Sequence, residues 1–119
     1  MDGKELQRIR KGLSPLVNQA DFGWLVGVTR QAVSEWERGV MPVDGSVAVL
    51  ARVLNAYPEL LPEMLTWARD RPAGGVRVPE GTAMLLRVLG AYPELLPQVL
   101  HWAGVGPRPG GKVVLAAVA

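Results

Sequence analysis

The sequence predicts an all-α fold: five short helices, then a second copy of the last helical hairpin, then a short C-terminal tail or strand. Three observations carry this. Apolar residues recur three and four positions apart, the period of a helix buried on one side. Capping residues and glycine stops bracket the segments. A stretch of 21 residues recurs at an offset of 35, with 15 positions identical. The divisions that follow are 1–70, 71–106 and 107–119.

Gly3 to Leu13 reads as the first helix. Leu6, Ile9 and Leu13 share a face, and Lys4, Arg8 and Lys11 point elsewhere. Ser14-Pro15 ends it. The second helix opens at Asn18, an N-cap type, with Asp21 three residues on, and stops at Gly27. Val17 and Phe22 are spaced as a hydrophobic staple. The third helix repeats these devices: Thr29 caps it, Val28 and Val33 form the staple, Val33 and Trp36 face inward, and Gly39 and Pro42 end it. A fourth helix fits Ser46 to Ala56. A fifth starts with Pro58 as its first residue and runs to Arg69. Asp70 to Gly75 has the composition of a turn.

The repeat follows. Ala48 to Ala68 reads AVLARVLNAYPELLPEMLTWA, and Ala83 to Ala103 reads AMLLRVLGAYPELLPQVLHWA. Solenoids of this period need about three copies to close a core. Two copies point instead to a duplicated hairpin with a Tyr-Pro junction, its second copy packing either on the first or on the same region of a second chain; packing within the chain is favoured, with the second copy also offering a dimer surface. Pro107 to Ala119 opens with prolines and glycines and closes as KVVLAAVA. Val113 to Leu115 and Val76 to Val78 suit short strands, and a frayed tail fits the same residues.

Composition narrows the function. There is no cysteine and one histidine, His101, so disulfides are excluded and neither a metal site nor a catalytic triad is expected. No cofactor motif is present, and the chain reads as a non-enzyme. Nothing at its start reads as a signal peptide, and the longest apolar run, Val113 to Ala119, is too short for a bilayer. A cytoplasmic protein without membrane contact is expected. Net charge is +2, from 13 basic and 11 acidic residues. Any binding to nucleic acid therefore rests on placed contacts, and this argues against a general architectural DNA-binding protein.

The short second and third helices, joined by a tight turn, have the spacing by which a protein lays one helix in the major groove. The outward residues of the third are Arg30, Gln31, Ser34, Glu35 and Arg38. An arginine binds guanine bidentately and a glutamine binds adenine. Asn18, Gln19 and Thr29 stand at helix N-termini, where side chains and free amides meet phosphate. Glu35 either accepts from cytosine or orients Arg30 or Arg38 through an ion pair. The same three helices also fit a small core with no role on DNA. Trp24 is left outside the apolar register, facing a partner or packed under Pro15.

GVTRQAVSEWERG, with Asn18-Gln19 before it, resembles the Cro/cI-type, or lambda-repressor-like, helix-turn-helix family over residues 4–69. The Trp36-Glu37-Arg38-Gly39 ending is among its more specific signatures. The LxRVLxAYPELLPxxL segment resembles the fourth and fifth helices of antitoxin and small phage autorepressors. The resemblance implies a five-helix DNA-binding domain acting as a homodimer on a palindromic operator and repressing its own promoter. It implies base and backbone contacts for Gln19, Arg30, Gln31 and Glu35, and an ion pair between the first helix and Glu37. Two features depart from the pattern: the connection from Arg10 to Gln19 is long and carries Pro15, and the second repeat copy has no counterpart. The second copy is expected to supply dimer contacts through Tyr92, Leu95, Leu96, Leu100 and Trp102. The alternative function is an antitoxin or interaction module that binds a partner protein such as a cognate toxin.

Overall fold

A computed structural model describes residues 1–13, 17–69, 80–105 and 107. Among these the chain forms seven α-helices and no strands: α1 (Gly3–Lys11), α2 (Gln19–Val26), α3 (Arg30–Glu37), α4 (Gly45–Ala56), α5 (Leu61–Arg69), α6 (Glu80–Ala91) and α7 (Leu96–Trp102). The linker at 70–75 and both strand candidates lie outside the described residues, as does the tail apart from Pro107.

The capping signals act where the sequence places them. Asn18 accepts from the Asp21 N–H at 2.8 Å, and Thr29 Oγ1 accepts from the Ala32 N–H at 3.1 Å. Two further caps have aspartate: Asp2 holds the Glu5 N–H at 2.8 Å, and Asp44 holds the Ser46 N–H at 3.0 Å. The Asp44 cap starts α4 one residue before Ser46. Its hydrogen bond from the Ser46 hydroxyl outweighs partial burial and holds the Asp44 carboxyl below its ordinary pKa.

Pro58 does not begin the fifth α-helix. Pro58–Leu60 is a 3₁₀ turn, and Pro93–Leu95 repeats it. The cause is the pair of prolines four residues apart. Pro62 and Pro97 have no N–H to give to the carbonyls of Pro58 and Pro93, so the α-helical bond cannot form there. The chain closes the turn one residue tighter: Leu60 bonds to Tyr57 and Leu95 to Tyr92, each at 3.0 Å. Being before a proline, Tyr57 and Tyr92 leave the helical region, with φ of −131° and −132°.

All seven helices contribute to one apolar core. Its largest enclosed side chains include Phe22, Leu6, Leu25, Leu50, Leu54, Leu60, Leu61, Met64 and Leu95. α4 and α5 are central. They touch α1 and α2 on one hand, and α6 on the other; α4 also touches α7, and α2 reaches α6. The second hairpin thus packs within the chain and shares the core of the first.

The two hairpins meet through a reciprocal exchange. The Tyr57 hydroxyl donates to Gln98 Oε1 at 2.5 Å, and the Tyr92 hydroxyl donates to Glu63 Oε1. Tyr92 is the repeat equivalent of Tyr57, and Gln98 that of Glu63. Each tyrosine therefore reaches the same position on the opposite copy, which is the signature of a local twofold relation. The bond to Glu63, with its negative charge and with burial, pushes the Tyr92 phenol up to about 12. Arg87 also crosses the junction, its guanidinium 5.8 Å from the Trp67 ring centre.

This placement corrects part of the expected dimer surface. Tyr92 and Leu95 are buried inside the chain, because the 3₁₀ turn directs both toward the first copy. Trp102 is partly buried and packs on the core. Leu96 and Leu100 remain exposed.

Candidate nucleic-acid interface

The site is built on α2, α3 and the connection between them. Gly27 lies at φ +79°, a left-handed conformation that favours glycine, and ends α2. The Val28 N–H then bonds back to the Gly23 carbonyl at 2.8 Å. This folds the connection so tightly over α2 that a Cβ on Gly23 would stand 2.7 Å from the Val28 oxygen. Phe22, Leu25 and Val26 fix the inner face of α2, and Val33 and Trp36 that of α3. Trp24 is left 43% exposed.

A buried polar network ties this unit to α1. Arg10 Nε donates to Glu37 Oε2 at 2.6 Å and a terminal nitrogen donates to Glu37 Oε1 at 2.9 Å, a bidentate pair. The other terminal nitrogen donates to the Val17 carbonyl at 3.0 Å. Gln19 Nε2 donates to Glu37 Oε1 at 3.1 Å. Arg10 and Glu37 are both buried, and no buried side-chain polar atom among the described residues lacks a partner. Burial opposes the Glu37 charge, but the hydrogen bonds from Arg10 and Gln19 prevail and hold its carboxyl below its ordinary pKa. The hydrogen bond to Glu37 likewise raises Arg10, against its own desolvation.

The ion pair between the first helix and Glu37 is therefore present, and Arg10 makes it. Arg10 also grips the connection that follows α1, through the Val17 carbonyl. The sequence does not single out Arg10. A signal existed: Arg10 lies four residues after Leu6 and three before Leu13, within the apolar face of α1.

The outer face of α3 carries Arg30, Gln31 and Arg38 exposed, with Ser34 and Glu35 half-buried. Among the described residues, Arg30 and Arg38 enter no ion pair. Glu35 does not orient either of them. Its carboxylate accepts from Gln31 Nε2 at 3.2 Å, the partner one helical turn away on the same face. Asn18 and Thr29 spend a side-chain oxygen on their caps. An open cleft of about 350 Å³, lined by Arg10, Asn18, Gln19, Ala20 and Arg30, brings the start of α2 beside the start of α3. Gln31, Ser34, Glu35 and Arg38 lie outside that cleft, farther along the α3 surface.

Such a surface offers two unpaired guanidinium groups, a steered amide and the free N–H groups of two helix starts. Those are donors for phosphate and for base edges. No set of three acidic, histidine or cysteine side chains among the described residues is placed to hold a metal ion. No described helix is long and apolar enough to cross a membrane. Comparison with protein-family models, curated proteins and solved structures finds no match for the chain.

Proposed function

We propose that the chain is a sequence-specific DNA-binding regulator of the Cro/cI type, binding a palindromic operator as a homodimer and repressing its own operon. One observation carries this reading most: α3 presents an exposed polar face with Arg30, Gln31 and Arg38 outward, on a helix pair locked by a buried network. In this reading α3 enters the major groove. Arg30 and Gln31 meet base edges, Ser34 and Glu35 border them, and Arg38 meets phosphate. The cleft at the start of α2 takes a backbone phosphate between Arg30 and the N–H groups behind Asn18 and Gln19. Gln19 is held for that contact by Glu37. The reading also accords with the low net charge, because placed contacts then matter more than a general field.

The test is selection of sites from a random duplex library by the full chain, followed by footprinting. Two protected half-sites about one helical turn apart are expected. Gln31→Ala is expected to lose about 1–3 kcal/mol of discrimination at one base pair per half-site. A chain that enriches no sequence, or a Gln31→Ala variant with unchanged discrimination, refutes the assigned reading face.

A further inference from the structure

The two hairpins share 15 of 21 residues, yet one flank is treated differently in each. In the first copy, whose α4 meets α1 and whose α5 meets α2, Ala51 and Leu61 are fully buried and Leu65 is partly buried. The equivalent positions in the second copy are Leu86, Leu96 and Leu100. They are 59%, 45% and 39% exposed. Among the described residues, the fold thus covers this flank once and leaves its duplicate open.

We infer that the open flank of α6 and α7 is a self-pairing surface, and that its occupant is the same flank of a second copy of this chain. Charge is the first argument. Leu86, Gly90, Pro93, Leu96, Pro97 and Leu100 are all exposed and none is charged. Around a twofold axis each residue meets its own copy or a near neighbour's, so a charge there meets a like charge. A charge-free centre suits self-pairing and gives an acidic or basic partner nothing to recognise. Arg87, the nearest cation on α6, is turned to Trp67 at the junction of the two hairpins.

Area is the second argument. A standard interface needs about 800 Å² per partner, roughly one-ninth of the 6932 Å² surface of the chain. Toward such an area the flank of α6 and α7 offers six exposed residues, of which Leu86, Leu96 and Leu100 are the large apolar ones. Leu96 and Leu100 stand one helical turn apart, the spacing that lets a helix pack against a twin. The α1 and α2 surfaces that cover the first copy are already in use within each chain, so they are not free for a neighbour. Like against like leaves those surfaces as they are. This inference rests on the two-chain reading above only for its purpose, which is to bring two α3 helices to one operator; the self-pairing stands without DNA.

Sedimentation equilibrium of the full chain without DNA, over about 1–100 μM, tests it directly. A reversible monomer–dimer equilibrium is expected. Leu86→Glu and, separately, Leu100→Glu are each expected to weaken it at least about 30-fold, with melting temperature and helical circular dichroism unchanged. Trp24→Ala, on a different exposed side chain, and Gln31→Ala are expected to remain dimeric. A wild-type chain that is monomeric throughout overturns the inference, as does a dimer that both leucine variants leave intact. A dimer broken by the leucine variants upholds it even if no DNA sequence is enriched; that second result counts only against the operator reading.

Discussion

Glu37→Gln tests whether the Arg10 network holds the reading unit together. The substitution keeps the size and one acceptor oxygen, and it removes the charge. Arg10 then keeps its bond to the Val17 carbonyl but loses one arm of its bidentate partner. The two side chains are only 8% and 2% exposed, so water does not make up the loss. Removing one partner of a buried pair costs about 3–5 kcal/mol. The remaining amide oxygen places this variant near the lower end, about 3 kcal/mol, or a fall in melting temperature on the order of 12 °C. The pH dependence has a definite sign. The Glu37 carboxyl is depressed in the folded state, so its contribution is present above the ordinary glutamate range and is lost as pH falls through the folded value. The gap between wild type and variant should therefore be full at pH 7 and shrink below about pH 4. Urea unfolding at several pH values measures it. Arg10→Met with Glu37→Leu together should recover most of the loss, since two apolar groups leave no stranded charge. If Glu37→Gln stays within about 1 kcal/mol of wild type at pH 7, the network does not hold the unit.

Further outcomes follow from individual contacts. Gly23→Ala puts a Cβ 2.7 Å from backbone, which cannot swing aside, so a loss of about 1–3 kcal/mol is expected in urea unfolding. Leu95→Ala is expected to cost about 2–5 kcal/mol, whereas a surface leucine would cost under about 0.5; a small loss would contradict its place in the core. Tyr92→Phe should cost about 1 kcal/mol by removing the Glu63 bond. In a Tyr57→Phe chain, ultraviolet titration should show Tyr92 ionising at about 12. The stability that Tyr92 adds is full below the ordinary phenol value and disappears as pH rises through 12.

Local chemistry was open to sequence reading because it is set by near neighbours. Asn18, Thr29 and Gly27 act within one turn, and the inward faces of α1, α2 and α3 follow from period alone. What escaped depends on residues far apart. Arg10 and Glu37 are 27 positions apart, and a charged residue in an apolar register looks the same whether it is stranded or paired. The pattern around Tyr92 suits a dimer contact, whereas its burial and its bond to Glu63, 29 positions earlier, come from the packing of the first copy against the second. The Pro58 error has a different origin. A proline suits the first position of a helix, but a second proline four residues on removes the donor that the first one's carbonyl needs. The polar face of α3 was legible as a pattern, while the pairing of Gln31 with Glu35 required the side-chain geometry.

The positions at which the two hairpins differ follow the surroundings each copy meets. In the first copy, whose α4 meets α1, the fully buried residue is the small Ala51; its exposed twin is Leu86. Glu63 is half-buried and carries a carboxylate, whereas Gln98 is buried and carries an amide. Both accept a tyrosine hydroxyl, so the exchange survives while the deeper site avoids a desolvated charge. Asn55 and Gly90 are both exposed. The tyrosines, the prolines and Leu60 with Leu95 are identical, and these form the turn and the contact between copies. The turn keeps its tyrosines, prolines and leucines, while the change at 63 and 98 falls within the exchange itself and keeps an acceptor there. A Gln98→Glu chain would restore the symmetry of the exchange but bury a second carboxylate. It should therefore be less stable at pH 7 than wild type by about 1–3 kcal/mol, with the difference closing as pH falls into the carboxylate range. Equal stability at both pH values would mean that the amide at position 98 is incidental to its burial.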